Sequence, residues 1–109
     1  MANAYKVLGQ TGDASANDVT LYTVPSSTEA VVSTIVVCNR ENATNTFRIA
    51  VRPDGATLSQ SHYLAFDSEI QANDTITLTL GITIDASDVV SVGASDTNVS
   101  FSLFGTEIT

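Results

Sequence analysis

The sequence predicts an all-β protein, a single-domain antiparallel β-sandwich of jelly-roll or immunoglobulin-like type with about eight strands. Three observations predict it. The chain is rich in Thr, Ser, Val, Ala, Asn and Asp and poor in residues that favour helices. Short apolar runs alternate with polar residues at a period of two. Clusters of Asn, Asp, Ser, Gly and Pro divide these runs at short intervals, so residues 1–109 are expected to form one domain.

The N-terminal part of the chain contains two short predicted strands. The first covers Tyr5–Gln10, and the second covers Thr20–Val24 and ends before a proline. The polar segment Gly12–Asn17 between them predicts a turn. This segment does not fit a calcium loop, because Asp18 stands where the EF-hand pattern requires glycine.

Residues 30–53 are expected to form the centre of the fold. The segment Ala30–Arg40 is apolar on both parities, which is typical of a central strand with both faces covered. The segment Thr46–Arg52 alternates instead, with one apolar face and one face that carries two arginines. The sequence thus predicts a hairpin of two long strands, joined by the polar loop Glu41–Ala43 and followed by a turn at Pro53–Gly55.

The C-terminal half contains the remaining predicted strands. They lie at Ser61–Phe66, within Ile70–Ile84, at Val89–Ala94 and at Val99–Ile108. The second of these has the cleanest alternation in the chain, which predicts a strand with one buried and one exposed face. Its expected core side chains are Ile76, Leu78, Leu80, Ile82 and Ile84.

The charge of the chain limits its partners. There are 12 acidic and 4 basic residues, for a formal net charge of -8. Proteins that bind nucleic acid need Lys and Arg for the phosphates, so we expect no nucleic-acid partner. All the basic residues precede Pro53, and Arg48 and Arg52 share one strand face. This asymmetry either serves solubility or lets the two arginines contact an acidic surface on a neighbouring copy.

Few residues offer catalytic or metal-binding chemistry. Cys38 is the only cysteine, so we predict neither a disulfide nor an intramolecular zinc site and expect this side chain to fill the core. His62 is the only candidate general base, and such a role would need Asp67 or Cys38 as its partner. No glycine-rich phosphate loop is present. The sequence predicts a protein that is not an enzyme and that uses no cofactor.

The hydrophobic residues do not form a targeting or membrane segment. No apolar run has the length of a signal peptide or of a transmembrane helix. We therefore expect a soluble protein that is made in a cytosol and has no membrane partner.

A row of threonines marks a second candidate interface. Thr75, Thr77 and Thr79 alternate with the apolar residues of their strand. Threonine favours strands and hydrates well, so the row is compatible with an ordinary exposed face. It also fits a flat, uncharged surface for self-association or for docking on another protein, because exposed strands usually carry Lys or Glu.

The whole chain resembles a family of short virion structural proteins of tailed bacteriophages, cyanophages among them. The segments that carry the resemblance are YKVLGQ, TLYTVP, AVVSTIVVCNR, FRIAVRPDGA, HYLAFD, ANDTITLTLGITI, DVVSVGAS and VSFSLFGTEIT. The resemblance implies a multi-copy β-sandwich attached to the virion, whose partners are the major capsid protein or other virion proteins. It carries over no catalytic or metal-binding residue.

Three functions are compatible with the sequence. The first is a capsid decoration (cement) protein, expected to be a homo-oligomer, that clamps capsid subunits through Arg48, Arg52 and strand edges near its termini. The second is a structural component of the neck, tail, baseplate or fibre. The third is a receptor- or glycan-binding module that uses Tyr63 and the Asp/Asn turns, which the low aromatic content disfavours.

Overall fold

Eight β-strands and two short 3-10 turns make up the part of the chain that the computed structural model describes, residues 2–12 and 19–109. The predicted turn at Gly12–Asn17 lies, after its first residue, outside the described residues. None of the helices in the described part has the length and apolar character needed to cross a membrane. The strands are β1 (Asn3–Thr11), β2 (Val19–Thr23), β3 (Glu29–Asn39), β4 (Asn45–Arg52), β5 (Tyr63–Ile70), β6 (Thr75–Ile84), β7 (Val89–Ala94) and β8 (Val99–Ile108).

The observed strands agree with the predicted ones to within a few residues, except for β5. The prediction placed its start at Ser61, but residues Gln60–His62 form a 3-10 turn and the strand begins at Tyr63. The backbone N–H of Ser59 donates to Nδ1 of His62 at 3.1 Å and stabilises this turn. The predicted turn at Pro53–Gly55 is confirmed as a second 3-10 turn.

The strands pack as two four-stranded antiparallel sheets, which confirms the predicted β-sandwich. Sheet A has the strand order β1-β8-β3-β6, and sheet B has the order β2-β7-β4-β5. The pairs 1–8, 2–7, 3–6 and 4–5 are nested, as if one long hairpin had been rolled up. This is the jelly-roll arrangement and not the immunoglobulin-like one, whose sheets contain the orders ABED and CFG.

The predicted hairpin of β3 and β4 is wrong, because the two strands belong to different sheets. The connection between them crosses the edge of the sandwich. Both strands have a buried apolar face, and the crossing lets the two faces pack against each other across the core instead of lying side by side. Alternation along the chain shows that a strand has a buried face, but it does not show which strand is its neighbour.

Asn39 holds this crossing in place. Its side chain is 1% exposed, and its Oδ1 accepts hydrogen bonds from the backbone N–H of Glu41 at 3.1 Å and from Nδ2 of Asn45 at 3.1 Å. A buried amide whose polar atoms all have partners fixes a chain direction, since any other path would leave those atoms without hydrogen bonds. The Nδ2 of Asn39 donates to backbone oxygens at 2.8 to 3.3 Å, namely those of Ala43, Ile70 and Gln71.

The core lies between the two sheets and contains apolar side chains from both. Phe47 of sheet B meets Phe101 of sheet A edge to face, with ring centroids 6.4 Å apart. The side chains around them are mostly β-branched, which suits packing between pleated surfaces. The largest fully buried apolar side chains are Phe101, Ile35, Ile49, Ile70, Leu103, Val24, Val32, Val37, Val90, Val92 and Val99.

A β-bulge explains why β3 is apolar on both parities. The register with β6 and β8 shifts between Val32 and Thr34, so the core face changes from even to odd residue numbers at Ser33. Val32 and Ile35 are therefore both fully buried. The prediction that both faces of this central strand are covered is wrong, because the outer residues are half-buried. Cys38 is one of these, so it does not fill the core as predicted.

A second bulge changes the exposure of β6. Ile82 pairs with Val32 and Thr79 pairs with Thr34, so Leu80 and Gly81 face the single residue Ser33. Gly81 has φ of 62°, a left-handed conformation that glycine adopts without strain. Leu80 is 41% exposed, so its predicted place in the core is wrong.

Candidate interaction surfaces

The outer face of sheet B carries a patch built around Arg48. The register of β5 shifts opposite this arginine, because Ser68 pairs with Phe47 whereas Ala65 pairs with Ile49. Phe66 and Asp67 therefore both lie opposite Arg48. The bulge requires a left-handed backbone at Asp67, whose φ is 52°.

Arg48 binds both of these neighbours. Its Nε and Nη2 atoms donate to Oδ1 and Oδ2 of Asp67 at 2.7 and 3.1 Å, which is a bidentate ion pair. The guanidinium also lies over the ring of Phe66, 4.2 Å from the ring centroid. The hydrogen bond with Arg48 lowers the pKa of Asp67, and the same bond raises the pKa of Arg48. The charge of Arg48 is therefore compensated within the chain.

We call Arg48, Tyr63 and Phe66, together with the exposed residue Leu64 that lies between the two aromatic residues on β5, the aromatic–arginine patch. Tyr63 and Phe66 are in edge-to-face contact with centroids 4.9 Å apart. Leu64 and Phe66 are 51% and 56% exposed, which is unusual for large apolar residues on a short strand. Beside the patch, a hollow of about 250 Å³ is lined by Thr46, Arg48, Asp67, Ala94 and Ser95.

Arg52 lies on the same strand but has other contacts. Its Nε donates to Oγ of Ser91 at 3.0 Å, and its Nη1 donates to the backbone oxygen of Ala56 at 3.1 Å. Ser91 is 2% exposed, so Arg52 satisfies a buried hydroxyl and ties β4 to β7 and to the following loop. Of the two arginines predicted to form an interface, Arg48 belongs to an exposed patch. Arg52 makes hydrogen bonds that stabilise the fold.

The outer face of sheet A is different, because it is almost free of charge. Residues paired across an antiparallel sheet share a face, so the register identifies its members. Among the paired strand residues, the register places one charged residue on this side, Glu29, next to Ile108 at one end, and Lys6 of the edge strand β1 reaches its margin. We call the remainder the uncharged face, which consists of Tyr5, Val7, Gln10, Val31, Thr34, Val36, Cys38, Thr75, Thr77, Thr79, Thr83, Ser100, Ser102, Phe104 and Thr106.

The predicted threonine row forms one margin of the uncharged face. Thr75, Thr77 and Thr79 are all exposed on β6, which is an edge strand of sheet A. They therefore lie on the opposite side of the sandwich from Arg48 and Arg52. The structure separates the predicted interface residues into two surfaces.

The opposite margin of the uncharged face is apolar, which the sequence analysis missed. Tyr5 is 82% exposed and Val7 is 48% exposed, and both lie on the edge strand β1. They line a hollow together with Ser33, Phe104 and Thr106. The alternation of Tyr5 and Val7 with Ala4 and Lys6 was visible in the sequence, but it did not show that their side faces solvent.

The residues considered for catalysis do not converge. Nδ1 of His62 accepts the bond from Ser59, Asp67 pairs with Arg48, and Cys38 lies on the outer side of the other sheet. Within residues 2–12 and 19–109, no group of three or more His, Cys, Asp or Glu side chains is arranged to hold a metal ion.

No protein-family model and no curated protein sequence matches the chain.

Proposed function

We propose that this chain is a non-enzymatic structural protein of a bacteriophage virion, a capsid decoration protein attached in many copies. The observation that carries the proposal is the exposed aromatic–arginine patch on a rigid sheet. The jelly-roll fold is compatible with it, because viral capsid domains use this fold. Lectins and cupins use it too, so the fold alone does not decide the function.

The composition of the patch fits a protein partner. Aromatic residues and arginine are enriched in protein interfaces, whereas Lys and Glu are depleted. Here Phe66 and Leu64 are more than half exposed, and the guanidinium of Arg48 lies over the ring of Phe66, 4.2 Å from its centroid. The ion pair with Asp67 holds the guanidinium in place, so little side-chain entropy is lost when a partner binds.

The small size of the patch favours attachment in many copies. A surface with a few exposed large side chains supplies modest affinity for one partner subunit. On a capsid the same site repeats by symmetry, and contacts between neighbouring copies add to the attachment of each. The proposed partner is therefore the major capsid protein, and the proposed location is the virion after synthesis in the host cytoplasm.

Loading of the purified chain onto particles that lack it tests the proposal. We expect Leu64→Ser and Phe66→Ala each to weaken loading by about tenfold or more, which corresponds to about 1.4 kcal/mol. Leu80→Ser is the matched control, because Leu80 is also an exposed leucine but lies in sheet A. Melting temperatures of all variants establish that the fold is intact.

Normal loading of both patch variants would contradict the proposal. Arg48→Lys tests whether the shape of the guanidinium matters in addition to its charge. Lysine keeps the charge, but it neither forms the bidentate pair nor stacks in the same way. We expect this variant to load less well than the parent chain.

The copy number in purified virions separates a decoration protein from other structural components. Quantitative mass spectrometry gives the ratio of this chain to the major capsid protein. A ratio near one or one-third supports decoration, as expected for a lattice position. A ratio of a few per cent assigns the chain to the neck, tail, baseplate or fibre instead.

One observation favours glycan binding as a second candidate function. The rings of Tyr63 and Phe66 line a hollow together with Gln60. Arg48, which lies over the ring of Phe66, lines a second hollow with polar groups from Thr46, Asp67 and Ser95. Sugars combine stacking on aromatic rings with hydrogen bonds to such groups. A glycan array with the parent chain and Phe66→Ala tests this candidate, and binding lost in the variant would favour it over decoration.

A further inference from the structure

We propose that the uncharged face of sheet A is the surface through which two copies of this chain pair. The pairing is independent of the proposed attachment to a virion, which uses the opposite side of the sandwich. Four features of the face support a second copy as its occupant: charge, area, relief and the bulge in β6, one of the two edge strands of sheet A.

Charge disfavours most other arrangements of two copies. Each chain has a net charge of -8, so two copies repel, and this repulsion is weakest when the surfaces that meet carry no acidic side chains. Among the paired strand residues of sheet A, the register places one acidic residue on the uncharged face, Glu29 at one end. The other acidic residue of these strands, Glu107, pairs with buried Ala30 and therefore lies on the inner side.

The area of the face matches what a stable dimer needs. Its strands contain 9, 10, 11 and 10 residues. With strands about 4.8 Å apart and a rise of about 3.3 Å per residue, the face covers about 600 Å² before side-chain relief is counted. A specific protein interface buries about 600 to 1,000 Å² on each partner, so this face reaches the lower end of that range.

The relief of the face suits a twofold interface. Tyr5 is a knob that is 82% exposed, and it stands beside a hollow lined by Val7, Ser33, Phe104 and Thr106. In a twofold dimer each copy supplies both the projection and the recess, so one patch satisfies both requirements. The Ser, Thr and Val side chains over the rest of the face are small, so two sheets can approach to about 10 Å, the usual spacing of packed sheets.

The structure of the edge strand β6 favours a dimer that forms through the outer face of sheet A over one that forms by strand addition at its edge. An intact edge strand is a template for a strand of another copy. In β6 the ladder is interrupted at Leu80 and Gly81, where φ of Gly81 is 62°. Such a bulge disrupts strand addition along the edge but leaves the side chains of Thr75, Thr77 and Thr79 available on the face.

Sedimentation equilibrium of the purified chain and of two matched variants tests the pairing. Ser102→Glu places a carboxylate at the centre of the face, where Ser102 pairs with Val36 and Gln10. Thr57→Glu adds the same charge at an exposed position between β4 and β5. We expect a dimer whose dissociation constant rises at least about tenfold in Ser102→Glu and stays within about twofold in Thr57→Glu.

Several results would overturn the pairing. These are a parent chain that stays monomeric up to about 1 mM, an equal effect of the two variants, and an assembly larger than a dimer. Unchanged melting temperatures exclude unfolding as the cause of a loss. If the parent chain is monomeric and Ser102→Glu instead blocks loading onto particles, the face belongs to a virion partner and the pairing is wrong. Because Leu64 and Phe66 lie on the other sheet, their variants test the attachment separately.

Discussion

At the residue scale, the contact between Tyr22 and Glu107 joins the two sheets. The hydroxyl of Tyr22 in sheet B donates to Oε2 of Glu107 in sheet A at 2.6 Å, and Nζ of Lys6 donates to Oε1 at 2.8 Å. The Tyr22 residue is 7% exposed and the Glu107 side chain is 12% exposed. A half-buried carboxylate with charge-assisted partners on both oxygens stabilises one packing of the sheets.

The same contact changes the acidity of both groups. Burial raises the pKa of Tyr22, and its hydrogen bond with Glu107 adds to the effect. The hydrogen bond from Lys6 lowers the pKa of Glu107, and the bond from Tyr22 lowers it further. The folded chain therefore favours the ionised carboxylate and the protonated phenol.

Stability should depend on pH through Glu107. Because its pKa is lower in the folded chain than in the unfolded chain, the unfolded chain takes up its proton first on acidification. The stabilisation is thus present above the ordinary glutamate pKa of about 4.3 and is lost as the pH falls through the folded pKa. We expect Glu107→Gln to lower the free energy of unfolding by about 2 kcal/mol at neutral pH and to flatten its acid dependence.

Urea denaturation at a series of pH values measures this effect. Glu69→Gln is the matched control, because it removes the same charge from an exposed position on β5. Equal pH profiles for Glu107→Gln and the parent chain would show that the contact contributes nothing to stability.

At the scale of the element, the bulge in β6 determines which leucines and isoleucines contribute to the core. Strict alternation assigns Leu80 and Ile84 to the same face. In the structure Leu80 is 41% exposed and Ile84 is 4% exposed, because two residues of β6 face one residue of β3 at the bulge. The burial of a β6 side chain therefore depends on its position relative to the bulge, as well as on whether its residue number is odd or even.

Alanine substitutions test this difference directly. We expect Ile84→Ala to lower the free energy of unfolding by about 3 kcal/mol, since it leaves a cavity between the sheets. Leu80→Ala should change it by less than about 0.5 kcal/mol, as is usual for exposed positions. Chemical denaturation of the two variants measures both values, and similar losses would mean that Leu80 is buried after all.

In the molecule as a whole, the two outer faces differ in how many charged residues they carry. Sheet B carries Arg48 and Arg52 with carboxylates nearby, such as Asp67. The outer side of sheet A is nearly uncharged, although the chain carries 12 acidic residues. The two outer faces of the jelly roll therefore differ in chemistry.

Salt should strengthen the proposed pairing of copies. Because both partners have a net charge of -8, added ions screen their repulsion while the apolar contacts remain. We expect the dissociation constant of the dimer to fall several-fold between about 20 mM and about 300 mM sodium chloride. An interface based on ion pairs would weaken over the same range, so sedimentation at the two salt concentrations distinguishes them.

The class of the fold and most strand positions can be predicted from the amino-acid sequence. Period-two alternation and the turn clusters follow from local chemistry: a half-buried strand must present apolar residues on one side, and turns need Asn, Asp, Gly or Pro. These constraints act within a few residues, so they can be read along the chain. The same alternation indicated which threonines are exposed and showed that Arg48 lies on the polar face of its strand.

The neighbours of each strand, and the surfaces that the candidate residues share, depend instead on contacts between distant parts of the chain. The β3–β4 crossing depends on contacts of Asn39 with Ile70 and Gln71, which are distant in sequence. The bulges at Ser33 and Asp67 depend on the register between strands that periodicity does not specify. Long-range pairing therefore placed the threonine row and Arg48 on opposite sides of the sandwich, because strand order is set by packing across the core and not by local pattern.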